Sequence, residues 1–394
     1  THTHVISTAP RPASGVWAVR AGRPLATNLE AACRGRPLRP WQPQRQALQL
    51  IGSHQDAAWA RWGGWRLGPS PLLWKLKQRN YRAFKAGFQR PATMTDAVPM
   101  ACRGCAAKLP AQPLCAALDR VGLGGQPKDA ALLDDHPGML QSMDGFPALV
   151  SDPWLNGRLT ALHACSDLWA CGARVSSAMA TITLPMVPTN QQQELLVQTL
   201  AGIRSVLDEQ GAELIGGHTM ESRSASPLPA SLGVQITLAV NGRSSQSPWL
   251  KSGLQPGDAL LISRPLGTGV LFAGAMTGAT KATDLDAALK GMACSQHTLL
   301  EQLEPVRGDI HACTDITGFG LLGHLGEMLQ NRTGLQILLD RAAIPAYSGA
   351  LDQVERGISS TLAPSNRAAW RWLDYTVQLR HPPSAALLEL LVDP

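Results

Sequence analysis

Apolar and polar positions follow two textures along this chain. From about residue 140 onward, short strand-like runs alternate with segments of helical period. Leu140–Met143 and Arg174–Leu184 read as strands. Between them, Asp152-Pro153 marks a helix start, with aspartate as cap and proline in the first turn, and the helix should run to about Gly172. The next helix has Thr189 as its cap, Leu196, Leu200, Ile203 and Leu207 as its apolar stripe, and Gly211 as its end. Strands are expected at 212–216 and 232–240, and Pro256-Gly257-Asp258 should turn the chain into another at Ala259–Ser263. Further helices are expected at 268–277, 283–303 and 318–331, with a strand at Leu335–Asp340. The mixture predicts an α+β or α/β body in two halves that meet near residue 245.

The first 95 residues are different. Ala9–Gly15 is rich in proline, alanine and glycine, Leu25–Ala32 reads as helix, and Arg34–Gln44 is proline-rich and extended. Trp74, Tyr81, Phe84 and Phe88 share one helical face, while Lys75, Arg79, Arg82 and Lys85 fall largely on the other. Pro91–Pro99 reads as a linker. Charge marks the same division. Residues 1–95 carry 15 lysines and arginines against Glu30 and Asp56 alone, a balance of +13, and the remainder balances to −7. Six of the 11 tryptophans also lie in this first stretch. Two modules joined near residue 95 are therefore expected. The basic helix at 74–90 has two readings: it lies on an anionic membrane surface, or it packs its aromatics on its own domain. No nucleic-acid motif accompanies the charge, so no nucleic-acid partner is expected.

No run of 18 or more apolar residues and no signal-peptide pattern occurs. A cytoplasmic protein is expected, with membrane association, if any, through the first module. The chain opens on Thr1 and ends on Val392-Asp393-Pro394 in mid-pattern, which reads as a fragment cut at both ends. Its eight cysteines, at 33, 102, 105, 115, 165, 171, 294 and 313, are expected as free thiols. Cys102 and Cys105 form a single C-x-x-C without a second pair or a histidine cluster, which argues against structural zinc.

Candidate chemistry begins with carboxylates. Asp129, Asp144, Asp167 and Asp315 each sit among small or apolar residues. Buried acids need partners, either a divalent metal bridging phosphates or an internal cation or helix end. Gly216-Gly217-His218-Thr219 follows an expected strand, and Gly267-Thr268-Gly269 and Gly318-Phe319-Gly320 each open an expected helix. Exposed N–H groups at such places bind phosphate; otherwise they are tight turns. No Walker A pattern occurs. Gly318-Phe-Gly-Leu-Leu-Gly323, with Asp340 downstream, imitates a dinucleotide fingerprint, but its lead-in, His311–Asp315, is too polar for a buried strand. Cys105 follows Gly104 with Arg103 and Lys108 near, and cations raise the thiolate fraction of such a thiol. Cys165 and Cys171 read instead as small buried hydrophobes. A thiol three residues before an ammonium suits a soft anionic nucleophile, and scattered carboxylates suit metal and polyphosphate. The combination points to phosphoryl transfer from ATP to an unusual acceptor.

These residues resemble the selenophosphate synthetase (selenide, water dikinase) family over about 98–394. Gly104-Cys105-Ala-Ala-Lys108-Leu resembles its glycine-rich catalytic segment, Asp129-Ala-Ala its metal-binding Asp-Ala-Ala, and Asp144 the aspartate of its Thr-Thr-Asp segment. Gly157-Arg158 through Ser166-Asp167-Leu-Trp-Ala-Cys-Gly172 resembles its long ligand-bearing helix, and Gly216-Gly217-His218-Thr219 its nucleotide loop. Pro265-Leu-Gly-Thr-Gly269 and Thr314-Asp315-Ile-Thr-Gly-Phe-Gly-Leu-Leu-Gly-His324 match closely. The chain departs at Lys128, where an acid is common, at Met143 and Gly145 around Asp144, and at His163, where asparagine is common. The family continues past Asp393-Pro394 with a Gln-Thr-Ser-Gly-Gly segment absent here, which puts the activity of the chain as it stands in question. Residues 1–90 resemble the C-terminal tail of a flavin-dependent type II NADH-dehydrogenase-like oxidoreductase, through Gly15–Ala26 and Trp41-x-Pro-Gln44. FAD would belong to a missing upstream part.

The resemblance implies a two-domain aminoimidazole-ribonucleotide-synthetase-like fold after an oxidoreductase tail, divided at 1–95, 96–245 and 246–394. It implies that ATP, selenide and water give selenophosphate, AMP and phosphate, in a homodimer. Cys105 and Lys108 would be catalytic. Asp129, Asp167 and Asp315 would hold Mg2+, and Lys108, Lys128, Asp144, Asp167, Gly216, Gly217 and His218 would bind ATP. A related ribonucleotide- or thiamine-phosphate-directed enzyme, a NAD-linked oxidoreductase and a non-catalytic selenium carrier remain the alternatives.

Overall fold

The computed structural model describes residues 15–41, 46–53, 56–88, 104–122, 128–133, 136–222, 233–329, 334–369 and 385–394. The chain separates into two compact units, Thr1–Thr93 and Met94–Pro394. In the first, a helix α1 (Gly15–Cys33) precedes a three-stranded antiparallel sheet, β1 (Gln49–Gly52), β2 (Ala58–Trp62) and β3 (Trp65–Ser70), and a helix α2 (Pro71–Phe88). The sheet was not legible in the sequence, because its strands are short and arginines and tryptophans interrupt their alternation. Helix α2 contains the expected basic helix; Lys75 and Arg79 are exposed, Trp74 is half-buried and Tyr81 is 56% exposed. The expected segments 9–14, 42–44 and 91–99 lie outside the described residues.

The second unit begins with a 3-10 turn (Gly104–Ala107) and a helix α3 (Ala111–Arg120). Then follow β4 (Ala131–Leu132), β5 (Met139–Phe146), α4 (Pro153–Ala170), β6 (Arg174–Leu184), α5 (Thr189–Glu209), β7 (Glu213–Glu221) and β8 (Gln235–Arg243). The sheet order is β4-β5-β8-β6-β7, with β6 and β7 parallel and the other pairs antiparallel. Alternating side chains such as Val240 and Leu238 of β8 and Ala178 and Ile182 of β6 point into one core with Leu168, Ile203 and Leu207 of the helices. Met143 and Met179 lie on the opposite, open face, both opposite Ala239.

Helix α4 starts as its sequence demands: Asp152 accepts a hydrogen bond from the Leu155 N–H at 2.8 Å, with Pro153 next. Helix α5 ends before Gly211, which has φ 68°. Its cap position is Pro188, and Thr189, expected to cap it, is the first helical residue and makes no capping bond. The two helices approach closely through glycine. A Cβ on Gly202 would stand 2.0 Å from the Trp154 carbonyl oxygen, and one on Gly157 would stand 2.4 Å from that of Thr199.

The second half is mostly helical: α6 (Thr268–Met276), α7 (Ala282–Met292), α8 (Thr298–Leu303), a 3-10 turn (Glu304–Asp309), α9 (Gly320–Leu329), α10 (Ala350–Glu355), α11 (Ala363–Ala369) and α12 (Ala385–Leu391). The helix expected at 283–303 breaks between α7 and α8. There Ser295 Oγ meets His297 Nδ1 at 2.8 Å, a local bond that competes with the helical ladder. The strands expected at 259–263 and 335–340 are not formed; among the described residues, the pairing outside the two sheets is a single bridge, Leu266 with Ala346. An apolar run without a partner edge does not make a strand. No strand precedes α9 either, so the structural context of a dinucleotide fingerprint is missing.

Candidate functional site

Three aspartates from distant parts of the chain converge. Asp129 lies just before β4, Asp167 in the last turn of α4, and Asp315 in the segment leading to α9. One carboxylate oxygen from each falls within 4.8 Å of the others. Burial, then the neighbouring Asp315, pushes the Asp129 carboxyl up to about 6. The same causes in the same order push Asp167 up to about 7. Asp167 also stands at the negative end of the α4 dipole. Three hard oxygen ligands that repel one another fit a divalent cation of the magnesium kind.

Each carboxylate is held from behind by a hydroxyl. Ser142 Oγ donates to Asp167 Oδ2 at 2.5 Å, Ser166 Oγ to Asp315 Oδ2 at 2.6 Å, and Thr314 Oγ1 to Asp129 Oδ1 at 3.2 Å. Such bonds fix carboxylate orientation, as they do around metal sites generally. Lys251 adds a cation. Its Nζ lies 2.9 Å from Asp129 Oδ1 and 2.7 Å from Glu327 Oε2. Burial pushes the Glu327 carboxyl up, but the neighbouring His324 and then Lys251 bring it down to about 2. The Thr317 N–H donates to His324 Nε2 at 3.1 Å, which leaves the ring proton on Nδ1, 3.3 Å from Glu327 Oε2. Neither Lys251 nor Glu327 was singled out by sequence, since nothing local distinguishes them from surface charges.

Asp144 lies on β5 two residues after Ser142, so both side chains share one sheet face. His163 Nε2 lies 2.9 Å from Asp144 Oδ2, and the Gly145 N–H donates to Oδ1 at 2.7 Å. Lys108 Nζ stands 4.0 Å from the same Oδ2 and 5.7 Å from the centre of the Phe319 ring. Lys108, just after the turn that carries Cys105, thus reaches Asp144. The backbone of Cys105 belongs to that turn; its side chain, with Cys102 and Arg103, lies outside the described residues.

Other expected residues are placed differently. Lys128 is exposed beside Asp129. Gly216, Gly217 and His218 form no loop but part of strand β7, opposite Met179, Ala180 and Thr181. Gly217 is required there because a Cβ would stand 2.0 Å from the Ala180 carbonyl oxygen. Three strand spacings separate β7 from β5, the strand that carries Asp144, roughly 14 Å at about 4.8 Å each. The glycines opening α6 are filled from within as well. The Val270 N–H donates to Asp393 Oδ2 at 2.9 Å, and the Gly269 N–H to the Pro394 carbonyl at 3.1 Å. A Cβ on Gly320 would stand 2.7 Å from the Val392 backbone. These glycine turns pack against the chain's own residues 392–394. Cys165 and Cys171 are buried as expected, and burial pushes each thiol up to about 12.

Residues 127–240 match the family of AIR synthase related proteins, N-terminal domain, and residues 255–361 its C-terminal domain. The selenide, water dikinase of Bdellovibrio bacteriovorus is 31% identical over 275 residues, covering 67% of this chain and 75% of that protein. The chain belongs to the selenide, water dikinase family. The dikinase of Myxococcus xanthus is likewise 31% identical over 278 residues, covering 68% of this chain and 76% of its relative. The dikinase fold also appears in the structure of AaThiL complexed with AMPPCP and TMP, with a TM-score of 0.50 and 15% identity over 73% of this chain and 82% of that one. The two-domain AIR-synthase-like architecture expected from the motifs is the one found, and the chain is a phosphotransferase of the dikinase family. Among the described residues, no helix is long and apolar enough to cross a membrane.

Proposed function

We propose that this protein makes selenophosphate from ATP, selenide and water, releasing AMP and phosphate. The observation that carries the reading is the convergence of Asp129, Asp167 and Asp315 within 4.8 Å, with Lys108, just after the turn that bears Cys105, standing 4.0 Å from Asp144. The triad would hold Mg2+, which when bound offsets phosphate charge. Lys108 would place positive charge at the transferred phosphoryl group. Asp144 and Lys128 would orient the nucleotide, and Asp144, tied to His163, holds Lys108 within reach of that group. Hydroselenide is an anion near neutral pH, so it needs no general base, in keeping with a site whose histidines serve carboxylates.

Gly216, Gly217 and His218 would contribute to ATP binding from strand β7. The open sheet face with Met143, 68% exposed, and Met179, 47% exposed, supports a homodimer. We place the division at 96–245 and 246–394, a reading supported by the two domain matches at 127–240 and 255–361. Residues 1–95 are proposed as the oxidoreductase-like tail of a cytoplasmic protein, with the basic face of α2, at Lys75 and Arg79, toward an anionic membrane. Flotation of the tail with neutral and anionic vesicles tests that contact; equal partition on both kinds overturns it.

The deciding experiment measures AMP formed from ATP by the full protein. AMP should appear only when selenide is supplied, and equal AMP without selenide overturns the reading. Cys105→Ala should lower selenide-dependent turnover and leave ATP affinity unchanged; lost ATP affinity would make the cysteine structural.

A further inference from the structure

We propose that Lys251 is a positioning residue for the cation site: it holds one oxygen of Asp129 so that the other faces Asp167 and Asp315. The proposal rests on the reading of the triad as a divalent-cation site and adds to it a residue outside the motifs that suggested it. Among the described residues, the polar contacts of the Asp129 carboxylate fall on Oδ1, Lys251 Nζ at 2.9 Å and Thr314 Oγ1 at 3.2 Å. A carboxylate pinned through one oxygen by two donors cannot rotate without losing both. Oδ2 is thereby left for the shared cation.

Lys251 is itself fixed. Its side chain is only 10% exposed, and its second contact, Glu327 Oε2 at 2.7 Å, comes from helix α9. His324 of the same helix accepts from the Thr317 N–H, two residues after Asp315. A path of contacts thus runs from Asp129 through Lys251, Glu327 and His324 to the segment that carries Asp315. Two triad members drawn from opposite ends of the sequence are held in one frame.

Two effects of removing Lys251 oppose each other. Loss of a positive charge beside the triad would by itself strengthen cation binding. Loss of the pin leaves Asp129 without its counter-ion and Glu327 with His324 alone, so the Asp129 carboxylate is free to turn away from the triad. At two ångström-scale contacts the second effect is the larger, and the sign of the change therefore reports which role Lys251 plays.

The test is Mn2+ binding to the full protein by calorimetry and electron paramagnetic resonance, with a nonhydrolysable ATP analogue present. Lys251→Met is expected to weaken Mn2+ binding by about 10- to 100-fold, the range seen when groups that orient metal ligands are removed. Lys251→Arg, which can still bridge two carboxylates, should recover most of that loss. Undiminished or tighter Mn2+ binding in Lys251→Met overturns the proposal, as does failure of Lys251→Arg to recover any of the loss at an unchanged melting temperature. Where Lys251→Met does not fold, Glu327→Gln decides: it releases the far end of the lysine and should weaken Mn2+ binding by about 3- to 10-fold, and unchanged binding overturns the proposal. Abolition by Asp167→Asn checks the cation site separately. Wild-type protein that binds no Mn2+ overturns the cation site, and this proposal with it.

Discussion

His163 Nε2 lies 2.9 Å from Asp144 Oδ2, and this contact keeps a fourth carboxylate charged close to the aspartate triad. Burial pushes the Asp144 carboxyl up, but the hydrogen bond and charge of His163, then Lys108 and the Gly145 N–H, bring it below its usual value. A depressed carboxyl contributes stability above its unfolded value, and that contribution is lost as pH falls through the folded one. His163→Ala should lower unfolding free energy at neutral pH by about 1–3 kcal/mol, the cost of leaving a buried acceptor unpaired. His163→Gln should recover part of it. Urea unfolding of the three proteins at neutral and acidic pH checks both statements; the wild-type advantage should shrink in acid.

The triad predicts a pH-dependent response to magnesium. Asp129 and Asp167 stand at about 6 and about 7, raised first by burial and then by Asp315. Without cation, their protonated forms favour the fold, and that contribution is lost as pH rises through those values. With cation, the ionised forms are needed. The rise in melting temperature on adding MgCl2 should therefore be small near pH 5 and reach a plateau near pH 8. Asp315→Asn should abolish that rise. Thermal unfolding with and without MgCl2 across this range is the measurement, and a magnesium effect independent of pH would contradict the assignment.

Gly202→Ala should destabilise the second unit by about 1–3 kcal/mol, the usual cost of overpacking. Its Cβ would stand 2.0 Å from the Trp154 carbonyl oxygen, a backbone atom that cannot rotate away. Gly308→Ala, where a Cβ would meet nothing within 4 Å, is the control. Equal midpoints of urea unfolding for the two variants would show that α4 and α5 do not approach as closely as described.

Burial pushes the Asp393 carboxyl, seated at the start of α6, up to about 8. Its protonated form favours the fold, so its contribution is present in acid and is lost as pH rises through that value. Asp393→Asn, a neutral isostere, should be more stable than wild type above about pH 8 and close to it near pH 4. Chemical unfolding at the two pH values decides this, and a wild type that is the more stable at high pH would refute it.

Local chemistry explains what could be read in advance. Asp152-Pro153 marks the start of α4 because a cap and a first-turn proline act within four residues, and the stripe from Leu196 to Leu207 places α5 against the sheet. Segments 259–263 and 335–340 misled because strand formation depends on a partner elsewhere in the chain. Gly216-Gly217 was expected in a loop and lies in strand β7, because the same dipeptide serves a turn or a close strand crossing, and only the nearness of Ala180 distinguishes them.

The same division holds at the site. The sequence alone determined the acids, the thiol–lysine spacing and the alternation of strand and helix, since these depend on residue type and short-range geometry. Tertiary structure decided that Asp129, Asp167 and Asp315 meet, that His163 serves Asp144, and that Lys251 and Glu327 belong beside them. Charges acquire partners only when folding removes the water between groups far apart along the chain, and neither burial nor distance is encoded at any one position.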